Sequence, residues 1–156
     1  MEFIYKNTKV PLPNVRQFYI LKYASPYNPL ILETVKGLTD KIETFSELSE
    51  FISSYILWLE TEREKNPDWI TPYAPPEESH KHYFNCNTAD IKQVADYTLL
   101  SFNEIYRLDV FTFWGYLHDC VVWRCEQTEK GREYLEKAYY NSQTEPDREA
   151  LKNKIR

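Results

Sequence analysis

The sequence predicts a mainly α protein, a compact domain of about six to seven helices over residues 1–156 with a short N-terminal β-hairpin. Three observations lead there. Apolar residues recur at steps of three and four along 48–59 and 91–102, the spacing that puts them on one face of a helix. Asn, Thr or Asp stands just ahead of most such runs, where its side chain can accept from the free amides of a first turn. Only three glycines occur, which leaves little material for tight hairpins.

The elements follow in order. Phe3-Ile4-Tyr5 and Lys9-Val10-Pro11-Leu12 are extended, with Lys6-Asn7-Thr8 as the turn, so residues 1–12 form the hairpin. A first helix starts near Pro13 or Asn14 and stops at about Ala24, before Ser25-Pro26-Tyr27. Asn28-Pro29 starts a second, because Asn caps and Pro fits the first helical position; it ends near Gly37. Thr44 and Glu47 have capping-box spacing, and Leu48, Phe51, Ile52, Tyr55, Ile56 and Leu59 supply the buried face of a third helix that ends at Asn66-Pro67. Residues 67–87 read as a long loop rich in proline and aromatic rings.

Asn87 or Thr88 with Asp90 begins a fourth helix, with Ile91, Val94, Ala95, Leu99 and Phe102 facing inward. A fifth begins near Asp109 and is apolar almost all round from Val110 to Trp123, which predicts a central helix or a subunit contact. Gln127-Thr128-Glu129 with Arg132-Glu133 and Leu135 returns sixteen residues later as Gln143-Thr144-Glu145 with Arg148-Glu149 and Leu151. Two copies are too few for a solenoid and predict two successive helix starts.

The net charge of −5 is unevenly spread: residues 43–119 hold 14 acidic and 5 basic side chains, while the flanking stretches are slightly basic. No basic face is evident for a nucleic-acid backbone, so nucleic acid is disfavoured as a partner. The three cysteines cannot all pair with one another, and Cys120 and Cys125 face different sides of one helix, which predicts reduced thiols and a cytoplasmic setting. The N-terminus lacks the pattern of a signal peptide, and no apolar run is long enough to span a membrane.

No catalytic centre is legible. His80, His82 and Cys86 lie close in sequence but without zinc-ligand spacing, so no metal and no cofactor are expected. His118-Asp119-Cys120 are consecutive and point apart on a helix; His118 and Cys125 share a face, which keeps a small enzyme as an alternative. Glu60, Glu62 and Glu64, and Glu77 and Glu78, lie in charged, solvated stretches that promise no shifted pKa. Phosphate-loop and nucleophile-elbow motifs are absent.

Phe113-Trp114-Gly115-Tyr116-Leu117-His118-Asp119, Gln127 through Glu136, and Gln143-Thr144-Glu145-Pro146-Asp147-Arg148 resemble the end of small phage and prophage proteins of virion-assembly regions, helical tail-assembly chaperones among them. The resemblance covers residues 110–156 and carries no catalytic residues over. It implies a binding or assembly role, with a homo-oligomer or a phage structural protein as partner, in the host cytoplasm or the virion.

Together these readings give the expectation of a non-enzymatic protein-interaction protein. Aromatic residues reach 16%, and rigid rings suit interfaces as well as cores. The expected partner surface is Trp69, Ile70 and Tyr73 of the proline-aromatic loop, with Trp114 and Trp123 on the apolar helix. An acidic inhibitor of a host nucleic-acid-handling enzyme is the second binding alternative, resting on the acidic middle segment.

Overall fold

The computed structural model describes residues 2–25, 27–70 and 88–143. Among them the fold is mainly α, with seven helices and one small antiparallel sheet. The strands are β1 (Phe3–Tyr5) and β2 (Thr8–Val10). The helices are α1 (Val15–Tyr23), α2 (Pro29–Lys36), α3 (Phe45–Glu64), α4 (Ala89–Thr98), α5 (Phe102–Arg107), α6 (Val110–Glu126) and α7 (Glu129–Gln143), with a 3-10 turn at Pro67–Trp69. The contacts divide the chain into two compact units. The first holds residues 2–70 and 88–119, and the described part of the second is 120–143.

The hairpin pairs Phe3 with Val10 and Tyr5 with Thr8, so its turn is the two residues Lys6 and Asn7. Both have positive φ, 46° and 63°, as a two-residue turn between right-twisted strands requires. Asn tolerates that region and Lys does so less readily. Lys6 is held there by its ammonium, which donates to the Lys41 carbonyl at 3.0 Å and to Glu47 Oε1 at 2.5 Å.

Local chemistry sets the helix starts. Asn14 and Gln17, Thr44 and Glu47, and Ser101 and Glu104 each form a complete capping box at the head of α1, α3 and α5. Asn28 accepts from the Leu30 amide ahead of α2, and Asp109 accepts from the Phe111 and Thr112 amides ahead of α6. In the second unit Thr128 accepts from the Gly131 amide and starts α7. Gly131 has a second reason to be glycine: a Cβ there would run into the carbonyl oxygen of Cys125. Thr144, the matching residue of the second copy, lies outside the described residues, as does the rest of that copy.

The first unit has one continuous core. Phe51, Tyr55 and Leu59 of α3, Val15, Phe18 and Leu21 of α1, Ile91 and Val94 of α4, and Val110, Phe113 and Leu117 of α6 are all buried in it. Phe3 and Tyr5 of β1 pack their rings on Tyr55 and Phe51, with centroids 4.9 and 5.0 Å apart.

Three sequence expectations are corrected. The helix read through Phe102 stops at Thr98, and Phe102 opens a separate helix, α5. Leu99, expected to face inward, takes a left-handed conformation at φ 61° and is 89% exposed, and Phe102 is exposed as well. The reason is local: Thr98 Oγ1 donates to the Val94 carbonyl and accepts from the Leu100 amide, and the Ser101–Glu104 box then starts the chain afresh. Second, Thr88 is the cap residue of α4, but its side chain makes no capping hydrogen bond. Third, α6 is central only over its first half; Val110, Phe111, Phe113, Trp114 and Leu117 are buried, whereas Trp123 is 53% exposed.

Candidate functional site

Of the expected partner residues described in the first unit, Trp69, Ile70 and Trp114, only Ile70 is exposed. Trp114 is 3% exposed and belongs to the core, so it has almost no surface to offer a partner. Trp69 is half-buried, its ring stacked on Phe111 at 4.3 Å with the planes 2° apart. Its carbonyl accepts from Arg63 Nε at 2.8 Å, and the Arg63 guanidinium lies 4.8 Å from the Trp114 ring centroid. Burial lowers the Arg63 pKa, which Asp90 and Glu60 partly offset by favouring the charge. Ile70 is exposed, and its carbonyl is 2.8 Å from His118 Nδ1. The head of the loop is thus tied to α3 and α6 by ring stacking and two main-chain contacts. Trp123 belongs to the second unit, and Tyr73 lies outside the described residues.

Cys125 is buried, and it stands seven residues after His118 on α6, about 10 Å of helical rise. That is too long for direct proton transfer between them. Cys120 is buried as well and accepts from Arg124 Nη2 at 3.6 Å. Among the described residues no group of three or more His, Cys, Asp or Glu side chains is arranged to hold a metal ion. His80, His82 and Cys86 are outside them.

The feature with the geometry of a site lies elsewhere in the first unit. A cleft of about 830 Å³ opens between α1, α2, α4 and α5. Its wall is Tyr19, Ile20, Tyr23, Leu30, Ile91 and Tyr106, and its polar margin includes Asn14, Asn28, Thr88 and Asn103. Two arginines, Arg16 and Arg107, complete the lining. Both reach it because α1 enters beside the end of α5: the Val15 amide donates to the Leu108 carbonyl at 2.9 Å and the Val110 amide to the Pro13 carbonyl at 3.1 Å. Asn14 and Asp109 form an isolated antiparallel bridge there.

The Tyr19 phenol of the wall lies near the Asp90 carboxylate. Burial, and then the Asp90 charge, push the phenol well above its ordinary range, so it stays a neutral donor. A smaller recess of about 230 Å³ adjoins the cleft, sharing Asn14, Arg16, Ile20 and Leu30 and adding Gln17, Glu33 and Thr34. The cleft can bind and orient, with rings for apolar contact and guanidinium groups for carboxylates. Among the described residues that line it there is no Cys, His, Asp or Glu.

Sequence reasoning missed Tyr19, Tyr23, Tyr106, Arg16 and Arg107. One signal was available: Arg16 stands in the first turn of a capped helix, where a cation opposes the helix dipole. The Ser101-x-x-Glu104 box, read as a helix start, would also have placed Arg107 at the end of α5.

Compared with known protein families, with curated proteins and with solved structures, the chain matches none.

Proposed function

We propose that this chain is a non-enzymatic protein-interaction protein that takes part in virion assembly or structure. The observation that carries the interaction reading is a pair of rings held together in open solvent. Tyr27, ahead of α2, stacks on Phe45 at the start of α3, with centroids 5.4 Å apart and planes 12° apart, although both side chains are more than half exposed. Large exposed rings fixed in this way bury much area on contact and lose little rotamer freedom, the property of interface anchors. Tyr23 and Leu30 add further exposed apolar surface on α1 and α2. The assembly reading draws its support from the resemblance of residues 110–156 to phage proteins. Its expected partners are a second copy of the chain or a phage structural protein.

The test is a Tyr27→Ala, Phe45→Ala double variant. Exposed substitutions of this kind leave folding stability within about 1 kcal/mol. Self-association, followed by sedimentation velocity, or co-purification with the products of neighbouring genes should weaken at least about tenfold, as for the loss of interface anchors. Unchanged association in a folded double variant would sink the reading.

A further inference from the structure

We infer that the cleft between α1, α2, α4 and α5 is the docking site for an acidic segment of a partner protein that also carries aromatic or aliphatic side chains. The inference rests on the interaction reading and names the chemistry of the partner. In a chain of net charge −5, the only ionic groups among the described residues that line this cleft are two arginines. Two like charges lining one cleft repel each other, and an anion bound there would relieve that repulsion.

The carboxylates around the cleft do not supply that anion. No ion pair within 4 Å joins Arg16 or Arg107 to a carboxylate of the described residues. Asp90 lies near the Tyr19 phenol and faces Arg63. Glu104 is committed to the Ser101 cap, feels Arg107 only as its weakest influence, and stays in water. Glu33 shares the adjoining recess with Arg16 but forms no ion pair with it.

The helix ends point the same way. Among the described helices α1, α2 and α6 have no acidic residue in the first turn, and α6 is answered by Asp109. The other two, α1 and α2, both begin at the cleft through Asn14 and Asn28. The cap residues of two helices and two guanidinium groups therefore line one concavity whose walls are tyrosine, isoleucine and leucine. Tyr and Arg are the residues enriched at binding hot spots, and bidentate guanidinium pairing favours a carboxylate. The volume is that of a pocket for a ligand of drug size, which suits a few side chains of an extended or helical segment and not a whole domain.

The test begins with the full chain immobilised and a random dodecapeptide display library. Enriched peptides should combine Asp or Glu with Trp, Phe or Leu. The best of them, made synthetically with a fluorophore, is then titrated by anisotropy. Arg16→Glu with Arg107→Glu should weaken it at least tenfold, with an unchanged circular dichroism spectrum, and Tyr23→Ala should weaken it severalfold. Raising the salt concentration should lower the wild-type affinity. The same peptide with its carboxylates replaced by lysine should bind the charge-reversed variant better than it binds the wild type. Absence of acidic enrichment, or binding that ignores the arginines, would overturn the inference. So would a charge-reversed variant that differs from wild type only in its self-association, since the occupant would then be a second copy. The stacked pair Tyr27–Phe45 does not line the cleft, so either experiment can fail while the other succeeds.

Discussion

Trp69 shows how one side chain can change roles between sequence and structure. In the sequence it stands in a proline-rich stretch, where a ring reads as an anchor for something outside. In the fold it lies flat on Phe111, and its carbonyl takes the Arg63 guanidinium N–H. Trp69→Ala should therefore lower stability by about 1–3 kcal/mol, less than for a fully buried ring because Trp69 is half-buried. Thermal melts would show this, and an unchanged melting temperature would restore it to the list of free anchors. Tyr55 makes a second case. Its hydroxyl donates to the Pro11 carbonyl at 2.5 Å, and burial raises its pKa well above the ordinary phenol range. A raised folded pKa means that the stability from the neutral phenol is complete below about pH 10, the unfolded value. That stability is lost as the pH rises from there toward the folded value. Tyr55→Phe should cost about 1–2 kcal/mol at neutral pH through the lost hydrogen bond, and its melting temperature should fall less steeply above pH 10 than that of the wild type.

At the level of elements, the helix starts were legible because capping is chemistry between residues two or three apart. Asn14, Asn28, Thr44, Asp109 and Thr128 stand where the sequence put them. The end of α4 was not legible, because an apolar pattern that runs on through Leu99 and Phe102 hides a reversal made by the Thr98 hydroxyl and the Ser101–Glu104 box. Thr44→Ala and Ser101→Ala should each cost about 0.5–2 kcal/mol, as for the loss of other caps. The acid partners make the caps sensitive to pH. Hydrogen bonds from Lys6 and the backbone hold the Glu47 carboxyl below its usual range, and those from Ser101 do the same for Glu104. Their contribution is present above the ordinary carboxylate pKa and is lost as the pH falls through the depressed folded values. Glu47→Gln with Glu104→Gln should flatten the acid limb of the stability curve below about pH 4.5, the range where unperturbed Glu titrates. An acid limb as steep as that of the wild type would show that these boxes do not carry it.

For the whole molecule, the acidic middle of the sequence takes on a different meaning once folded. Glu47, Asp68, Asp90, Glu104 and Asp109 sit at helix starts, and Glu60 and Glu62 pair with Lys22 and Lys65. Much of the negative charge is thus used in building helices, which weakens its reading as a single anionic face. The cleft escaped the sequence for a related reason. Arg16 falls in a mildly basic stretch and Arg107 in a strongly acidic one, and a charge count by segment averages both away. Only the docking of α1 beside the end of α5 brings both into one cleft.

That docking also bears on how fast the protein folds. The Asn14–Asp109 bridge joins positions 95 residues apart, whereas the hairpin and the capped helices form from neighbours in sequence. Closing a loop of that length costs about 4 kcal/mol of chain entropy before any contact repays it. The helices and the hairpin rest on contacts of the kind that form within microseconds, whereas the seam between α1 and α5 needs an encounter between distant parts of the chain. The cleft walls on α1 and α5 are brought together by that seam, so the cleft depends on a pairing between distant parts of the sequence.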